Sequence, residues 1–330
     1  MLAFQKGFSA WRRASAAAGF SVLLCFLGSP VVSEGQETPE TRALAGALLR
    51  VEYALKGRPP APEDLPEVNL AFDRATLAFF AGRVEAVVSA LDSLAEAVEP
   101  DAAVRALQRE EAELVLEGLG RKARVLEGDH PPIPYRIHGP PSQRPGPFPV
   151  LVVLHGAGGN EHMFLEAYGA GRLRALAEER GFVVISPSTS ALATSPEALT
   201  GLLAAAEGEF AIDRSRVALL GHSMGAGAAW RLAGRFSESI LAVACVAGPC
   251  GAPGGTESGG ERSTRPPLLV VAGELDPISA PSRLEAAVRQ GREAGYQVEY
   301  RVIPGYGHTL VVGAVLEEVV NWLLDQVIEI

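Results

Sequence analysis

Residues 217–225 read Val-Ala-Leu-Leu-Gly-His-Ser-Met-Gly, an apolar run that ends in Gly221-His222-Ser223-Met224-Gly225. A serine hydroxyl is a poor nucleophile at neutral pH unless a neighbouring base takes its proton. Gly-x-Ser-x-Gly between a short strand and a helix is the setting that presents such a serine on a tight turn, with Oγ standing clear of the sheet edge. Both glycines are required there, because a Cβ at either position would collide with the neighbouring strand or helix. In a chain with 36 glycines the motif alone can arise by chance, and its bland reading is a Gly-Ser turn. Context favours the nucleophile: a β-like run precedes it, an Ala-rich helical stretch (226–234) follows, and an acid and a histidine lie downstream.

The acid follows the apolar run Leu268–Ala272, in Gly273-Glu274-Leu275-Asp276-Pro277-Ile278. Asp276 is the better candidate, since Pro277 stiffens the turn just past the strand; Glu274 is the fallback. The bland role for Asp276 is an Asx-turn into the next helix. The base is His308, in Pro304-Gly305-Tyr306-Gly307-His308-Thr309 after the run Val298–Ile303. Of the six histidines, only His308 sits at a strand end downstream of both Ser223 and Asp276. His155 and His222 lie within the glycine motifs, where packing or hydrogen-bonding roles are expected. His130 and His138 fall in an opening hairpin, and His162 is placed to line a pocket.

A third glycine motif, His155-Gly156-Ala157-Gly158-Gly159-Asn160, follows Val150–Leu154. Its glycines let the backbone pass close to a substrate and leave N–H groups free to point at it. The N–H of Ala157, with those of Gly156 or Gly158 as alternatives, and the N–H of Met224 are the expected donors to a developing oxyanion. Losing one such donor typically costs about 10²–10³ in turnover. A phosphate-cradling loop is disfavoured, because no Gly-Lys-Ser/Thr follows and no dinucleotide fingerprint is present. Neither H-E-x-x-H nor paired C-x-x-C spacing occurs, so no metal and no cofactor are expected.

These groups need a frame to bring them together. From Arg121 onward, strand candidates (Ala123–Leu126, Ile133–Ile137, Val150–Leu154, Val183–Ser186, Val217–Leu220, Leu241–Val246, Leu268–Ala272, Val298–Ile303) alternate with helical stretches. The helical stretches are Phe164–Arg180, Pro196–Glu207, Gly225–Arg235, Ser282–Ala294 and Val311–Val327. Apolar β-runs alternating with helices imply an α/β domain with a mostly parallel, eight-stranded sheet covered on both faces and an antiparallel hairpin at one edge. Reactive groups in such sheets gather at the carboxyl ends of the strands. Residues 36–120 differ: Ala, Leu, Glu and Arg dominate, and helices are expected over Thr41–Lys56, Asn69–Ala81, Val84–Val98 and from Asp101 to about Leu119. The pair around Gly82-Arg83 resembles a tetratricopeptide-like hairpin, a single unit rather than a solenoid. An accessory layer, a pro-segment, a lid or a docking surface for a protein partner are the readings for this block.

The first 33 residues read as a signal peptide. Lys6, Arg12 and Arg13 precede an apolar stretch from Ala14 to Leu27, then Gly28-Ser29-Pro30 and small residues up to Ser33. Export to the periplasm or the extracellular space follows, with an uncleaved membrane anchor as the alternative. The formal net charge is −10, and no Lys/Arg cluster makes a nucleic-acid footprint, so that class is set aside. Of the cysteines beyond this segment, Cys245 reads as a small core residue and Cys250 as a loop residue. Export permits a disulfide between them, but the spacing does not demand one.

Over residues 121–330 the chain resembles the α/β-hydrolase superfamily of serine esterases. The stretch from Tyr135-Arg136-Ile137 to Leu154-His155-Gly156-Ala157-Gly158-Gly159-Asn160 looks like the esterase and polyhydroxybutyrate-depolymerase branch. Ile212-Asp213-Arg214-Ser215-Arg216-Val217 is similar to the approach to the elbow there and in dienelactone-hydrolase-like and prolyl-oligopeptidase-like enzymes. The order Ser223, Asp276, His308 is the chain order of that fold. The resemblance implies a Ser-His-Asp triad, an oxyanion hole at Ala157 and Met224, and hydrolysis of small or polymeric carboxylic esters through an acyl-enzyme. A peptidase or amidase of the same fold, and a non-catalytic binding protein using the helical block, are the competing classes. The Gly-rich segment after Ala247 is too short for a lid domain, which implies an open site.

Overall fold

The computed structural model describes residues 39–122, 124–251 and 265–328. Residues 1–33, read above as a signal peptide, lie outside the described residues, as does the Gly-rich segment between Gly251 and Arg265. The chain divides into two compact units, Met1–Gly120 and Arg121–Ile330.

The first unit contains four helices: α1 Pro39–Gly57, α2 Leu65–Phe80, α3 Val84–Val98 and α4 Ala102–Lys122. In α3 the buried positions are Val87, Leu91, Leu94, Ala95 and Val98, a stripe at helical spacing. That stripe packs on α1 and α2. Gly82 takes φ +71° between α2 and α3, a conformation that suits a residue without Cβ at the reversal. The Asp101 carboxylate accepts from Ala103 N at 2.8 Å and caps the start of α4.

The second unit is an eight-stranded sheet with helices on both faces. Its elements run β1 Arg124–Leu126, β2 Ile133–His138, β3 Phe148–Leu154, a π-helical turn Met163–Ala167, α5 Arg172–Arg180, β4 Val183–Pro187, α6 Thr189–Thr194 and α7 Ala198–Glu207. They continue with β5 Ile212–His222, α8 Met224–Arg235, β6 Ile240–Val246, β7 Leu268–Gly273, α9 Pro281–Glu293, β8 Val298–Ile303 and α10 Leu310–Ile328. The strand order is β1-β2-β4-β3-β5-β6-β7-β8. The β1–β2 and β2–β4 pairs are antiparallel and all others are parallel. Every residue of β3 is buried, because helices cover both faces. Val150, Val152 and Leu154 join a core with Leu199, Leu202, Trp230 and Leu284. Leu151 and Val153 point the other way, to Phe164, Leu173, Val311 and Val320. Each such side chain contributes about 1.5–3 kcal/mol when taken fully out of water.

One sequence expectation needs correction. Phe164–Arg180 is not one helix: it is a π-helical turn and α5, separated by Gly169, Ala170 and Gly171, all at positive φ. Three consecutive left-handed residues cannot continue a right-handed helix. Cys245 is fully buried in the core, as expected, and it is joined to Cys250 in the disulfide that the spacing left open. Residue Ala247, at φ +50°, turns the chain between them.

Candidate active site

β5 and α8 meet at Ser223, which adopts φ 53° and ψ −115°. A non-glycine residue reaches this region only where the surroundings over-determine it, and the surroundings here are backbone. A Cβ on Gly225 would lie 2.0 Å from the Leu154 carbonyl oxygen and 2.6 Å from that of His155. On Gly221 it would lie 2.2 Å from the Gly225 oxygen. Ser223 N donates to the Val246 oxygen at 3.0 Å, which ties the turn to β6. The Ser223 side chain is left partly exposed at the carboxyl end of β5.

The other two groups arrive from the carboxyl ends of neighbouring strands. His308 follows β8; its Nε2 lies 2.9 Å from Ser223 Oγ and its Nδ1 lies 2.8 Å from Asp276 Oδ2. With Nδ1–H donating to the carboxylate, Nε2 is free to accept from the serine hydroxyl. Asp276 follows β7, and its Oδ1 accepts from Ile278 N and Ser279 N, each at 2.8 Å. The Asx-turn and the contact to histidine are therefore both present, one on each carboxylate oxygen. Asp276 and His308 are 4% and 1% exposed, so little water competes for these bonds. Glu274 lies apart from this chain of contacts. Its Oε2 accepts from Gly305 N at 2.9 Å and secures the loop that carries His308.

The loop after β3 faces the elbow. A Cβ on Gly156 would come within 3.3 Å of Ser223 Cβ. Gly159 N donates to the Gly156 oxygen at 3.1 Å, closing a turn in which Gly158 takes φ +78°. Such a turn uses the amide of its last residue, which leaves Ala157 N–H outside the turn's own bond, and Ala157 is exposed. Met224 opens α8, so its N–H belongs to the first-turn donors that lack an intrahelical acceptor. That end of the helix also carries its positive partial charge. His155 holds the loop from behind: its ring bonds the Gly156 oxygen through Nδ1 at 2.8 Å and accepts from Thr189 N at Nε2 at 3.0 Å.

His162, expected to line a pocket, and His222, expected in a packing or hydrogen-bonding role, are both tied to named partners. His162 accepts from Arg136 at Nδ1, 3.2 Å away, and its Nε2 pairs with Glu161 at 3.2 Å. It belongs to a charged cluster in which Arg136 and Arg174 grip the buried Glu166 carboxylate at 2.7 and 3.0 Å. His222 is 3% exposed, and a Cβ on Gly156 would come within 2.8 Å of its Nδ1. Its ring nitrogens bond Tyr168 Oη at 2.8 Å and the His308 carbonyl at 3.1 Å. Burial pushes its pKa well down, with the nearby His308 adding to the effect. Tyr168 and Thr189 were not legible from the sequence as site residues. The break at Gly169-Ala170-Gly171 was the one visible signal near Tyr168.

The doubly covered sheet in this strand order, with a serine elbow after β5, an acid after β7 and a histidine after β8, gives residues 121–330 the α/β-hydrolase fold. The model of the alpha/beta hydrolase family matches residues 151–263. Among solved structures, the chain resembles a ferulic acid esterase at 18% identity and TM-score 0.51, over 61% of this chain and 96% of that one. It also resembles a fungal esterase from Rhizomucor miehei at 16% identity and TM-score 0.51, over 63% of this chain and 84% of the other. A thermostable esterase aligns at 22% identity and TM-score 0.47, over 62% of this chain and 63% of that chain's length. No curated protein matches this chain in sequence.

Proposed function

We propose that the protein is a serine hydrolase of carboxylic esters, working through an acyl-enzyme on Ser223. The observation that carries this reading is the unbroken run of contacts from Ser223 Oγ through His308 to Asp276, 2.9 and 2.8 Å long. His308 Nε2 takes the hydroxyl proton as Oγ attacks the ester carbonyl. Asp276 holds the Nδ1–H tautomer and stabilises the imidazolium that forms. The tetrahedral oxyanion rests on the amides of Ala157 and Met224, preorganised donors aimed at charge that develops only in the transition state. His308 then returns its proton to the leaving alcohol. In the second half of the cycle it deprotonates water, which attacks the acyl carbon and restores Ser223. The esterase names of the fold neighbours are in keeping with ester rather than amide substrates.

A panel of p-nitrophenyl esters of varied acyl length, run beside peptide anilides, tests this reading. Ester turnover that disappears in Ser223→Ala is expected. Faster turnover of the anilides would make the protein a peptidase of the same fold, and no turnover with no covalent adduct would make it a binding protein. Export belongs to the same proposal and is supported by the basic and apolar pattern of residues 6–33. It predicts a mature amino terminus just after Ser33, which terminal sequencing of the exported protein reads.

A further inference from the structure

Two buried histidines, His155 and His222, remain outside the mechanism just given, and the second touches the catalytic loop. His222 sits between Gly221 and Ser223, and its side chain is buried. Its Nδ1 lies 2.8 Å from Tyr168 Oη, and its Nε2 lies 3.1 Å from the main-chain oxygen of His308. A carbonyl can only accept, so Nε2 carries the proton and Nδ1 accepts from the tyrosine hydroxyl. The His308 carbonyl precedes α10, beyond the reach of that helix's own ladder, and buried main-chain carbonyls need donors. The Tyr168 ring meets the His222 ring edge-on at 5.3 Å, and the His222 and His308 rings are 5.1 Å apart. The chain thus runs from the segment before α5, through the elbow, to the histidine loop.

We propose that His222 and Tyr168 are positioning residues that hold the main chain of His308 so that its imidazole meets Ser223 Oγ. The proposal rests on the serine-hydrolase reading above. Neither residue touches the reacting atoms; each acts through the one that does. The groups around the His222 ring suit this role. Burial and the nearby His308 and His155 imidazoles disfavour a positive charge on His222, and they outweigh the His308 carbonyl, which favours it. A neutral His222 keeps the tautomer that donates to the carbonyl, and adds no cation beside the imidazolium that His308 becomes during attack. Misplacing a reacting group by about 1 Å costs roughly 10²-fold in rate, so a main-chain tether on the base is a sensitive control.

The test compares His222→Leu, His222→Gln and Tyr168→Phe with the wild-type full chain. It reads kcat and KM on p-nitrophenyl esters, melting temperature, and the downfield proton NMR signal of the His308 Nδ1–H. Glutamine can still place an N–H on the carbonyl; leucine cannot. The Leu variant is expected to lose about 10²-fold in kcat with KM within about twofold, and to lose or broaden the downfield signal. The Gln variant should recover most of the rate and keep the signal. Tyr168→Phe, which removes one neutral hydrogen bond, should lose roughly threefold to tenfold. A folded Leu variant with wild-type kcat and an intact signal would overturn the proposal. So would a rate that falls only in step with melting temperature and is not restored by glutamine. If the Leu variant does not fold, a Tyr168→Phe protein with unchanged rate and signal overturns it instead. Should the wild type hydrolyse no ester, the functional reading fails by itself, and the NMR signal across the three variants still decides the positioning.

Discussion

Residues 39–122 and the carboxyl ends of β3, β5, β7 and β8 are held together by different physics. In the helical unit, stripes such as Val87, Leu91, Leu94 and Val98 bury apolar side chains against other helices. Many aliphatic side chains of similar volume would serve there, and such swaps usually cost less than about 1.5 kcal/mol. At the elbow, main chain meets main chain: the gap between Gly225 and Leu154 does not admit one carbon atom. Packing that tolerates substitution leaves little record of purpose in a sequence. A turn with one permissible residue at each position leaves a clear one.

Substitutions in the two regions sharpen that contrast. Ser223→Ala should reduce ester turnover by about 10⁵- to 10⁶-fold with an unchanged melting temperature, since no contact that supports the fold is lost. Asp276→Asn should lower kcat by about 10⁴-fold, because an amide no longer fixes the histidine tautomer. Glu274→Gln should stay within a few-fold in the same assay, and the opposite ranking would assign the acid to Glu274. Gly225→Ala should lose activity and about 3 kcal/mol or more of stability, read by urea unfolding, because neither Leu154 nor His155 main chain can retreat. Leu91→Ala, by contrast, should cost about 2–4 kcal/mol in the stability of the helical unit and leave ester turnover within twofold. Loss of turnover in step with that stability would mean that the two units do not act separately.

The smallest effect expected is one of pH. Burial holds the His222 pKa below that of an exposed imidazole, about 6.5. As pH falls below that value the unfolded chain takes up the proton first, so stability present above it is lost on acidification. His222→Gln removes this share and should flatten the acid side of the stability curve by up to about 1.4 kcal/mol per pH unit. His138, whose pKa is lowered mainly by burial, adds a slope of the same sign that remains in the variant.

The same contrast explains what could be read from the sequence. Strands β3, β4, β6 and β7 were visible as apolar runs, because burial on both faces leaves no alternating pattern to confuse. Ser223, Asp276 and His308 were visible because each stands in a turn with little freedom of residue type. The break between the π-helical turn and α5 was missed: its apolar residues keep helical spacing, and only Gly169-Ala170-Gly171 marked it. Helix α6 was missed because Ser188-Thr189-Ser190 reads as a loop, although Ser188 Oγ accepts from Ala191 N and starts the helix. Between Cys245 and Cys250 the chain turns at Ala247, at φ +50°, a conformation no propensity predicts at an alanine. The bonds of His222 join residues 54 and 86 positions apart, beyond the reach of any local pattern.

The account turns on whether Ser223 becomes acylated. Brief incubation of the wild-type protein with a slowly turned-over p-nitrophenyl ester, acid quenching and peptide mass spectrometry measure this directly. One acyl group on the peptide that contains Ser223 is the predicted result, absent from Ser223→Ala and accumulating more slowly in Asp276→Asn. Ester turnover with no acyl group on Ser223, or with the group on another residue, would contradict it.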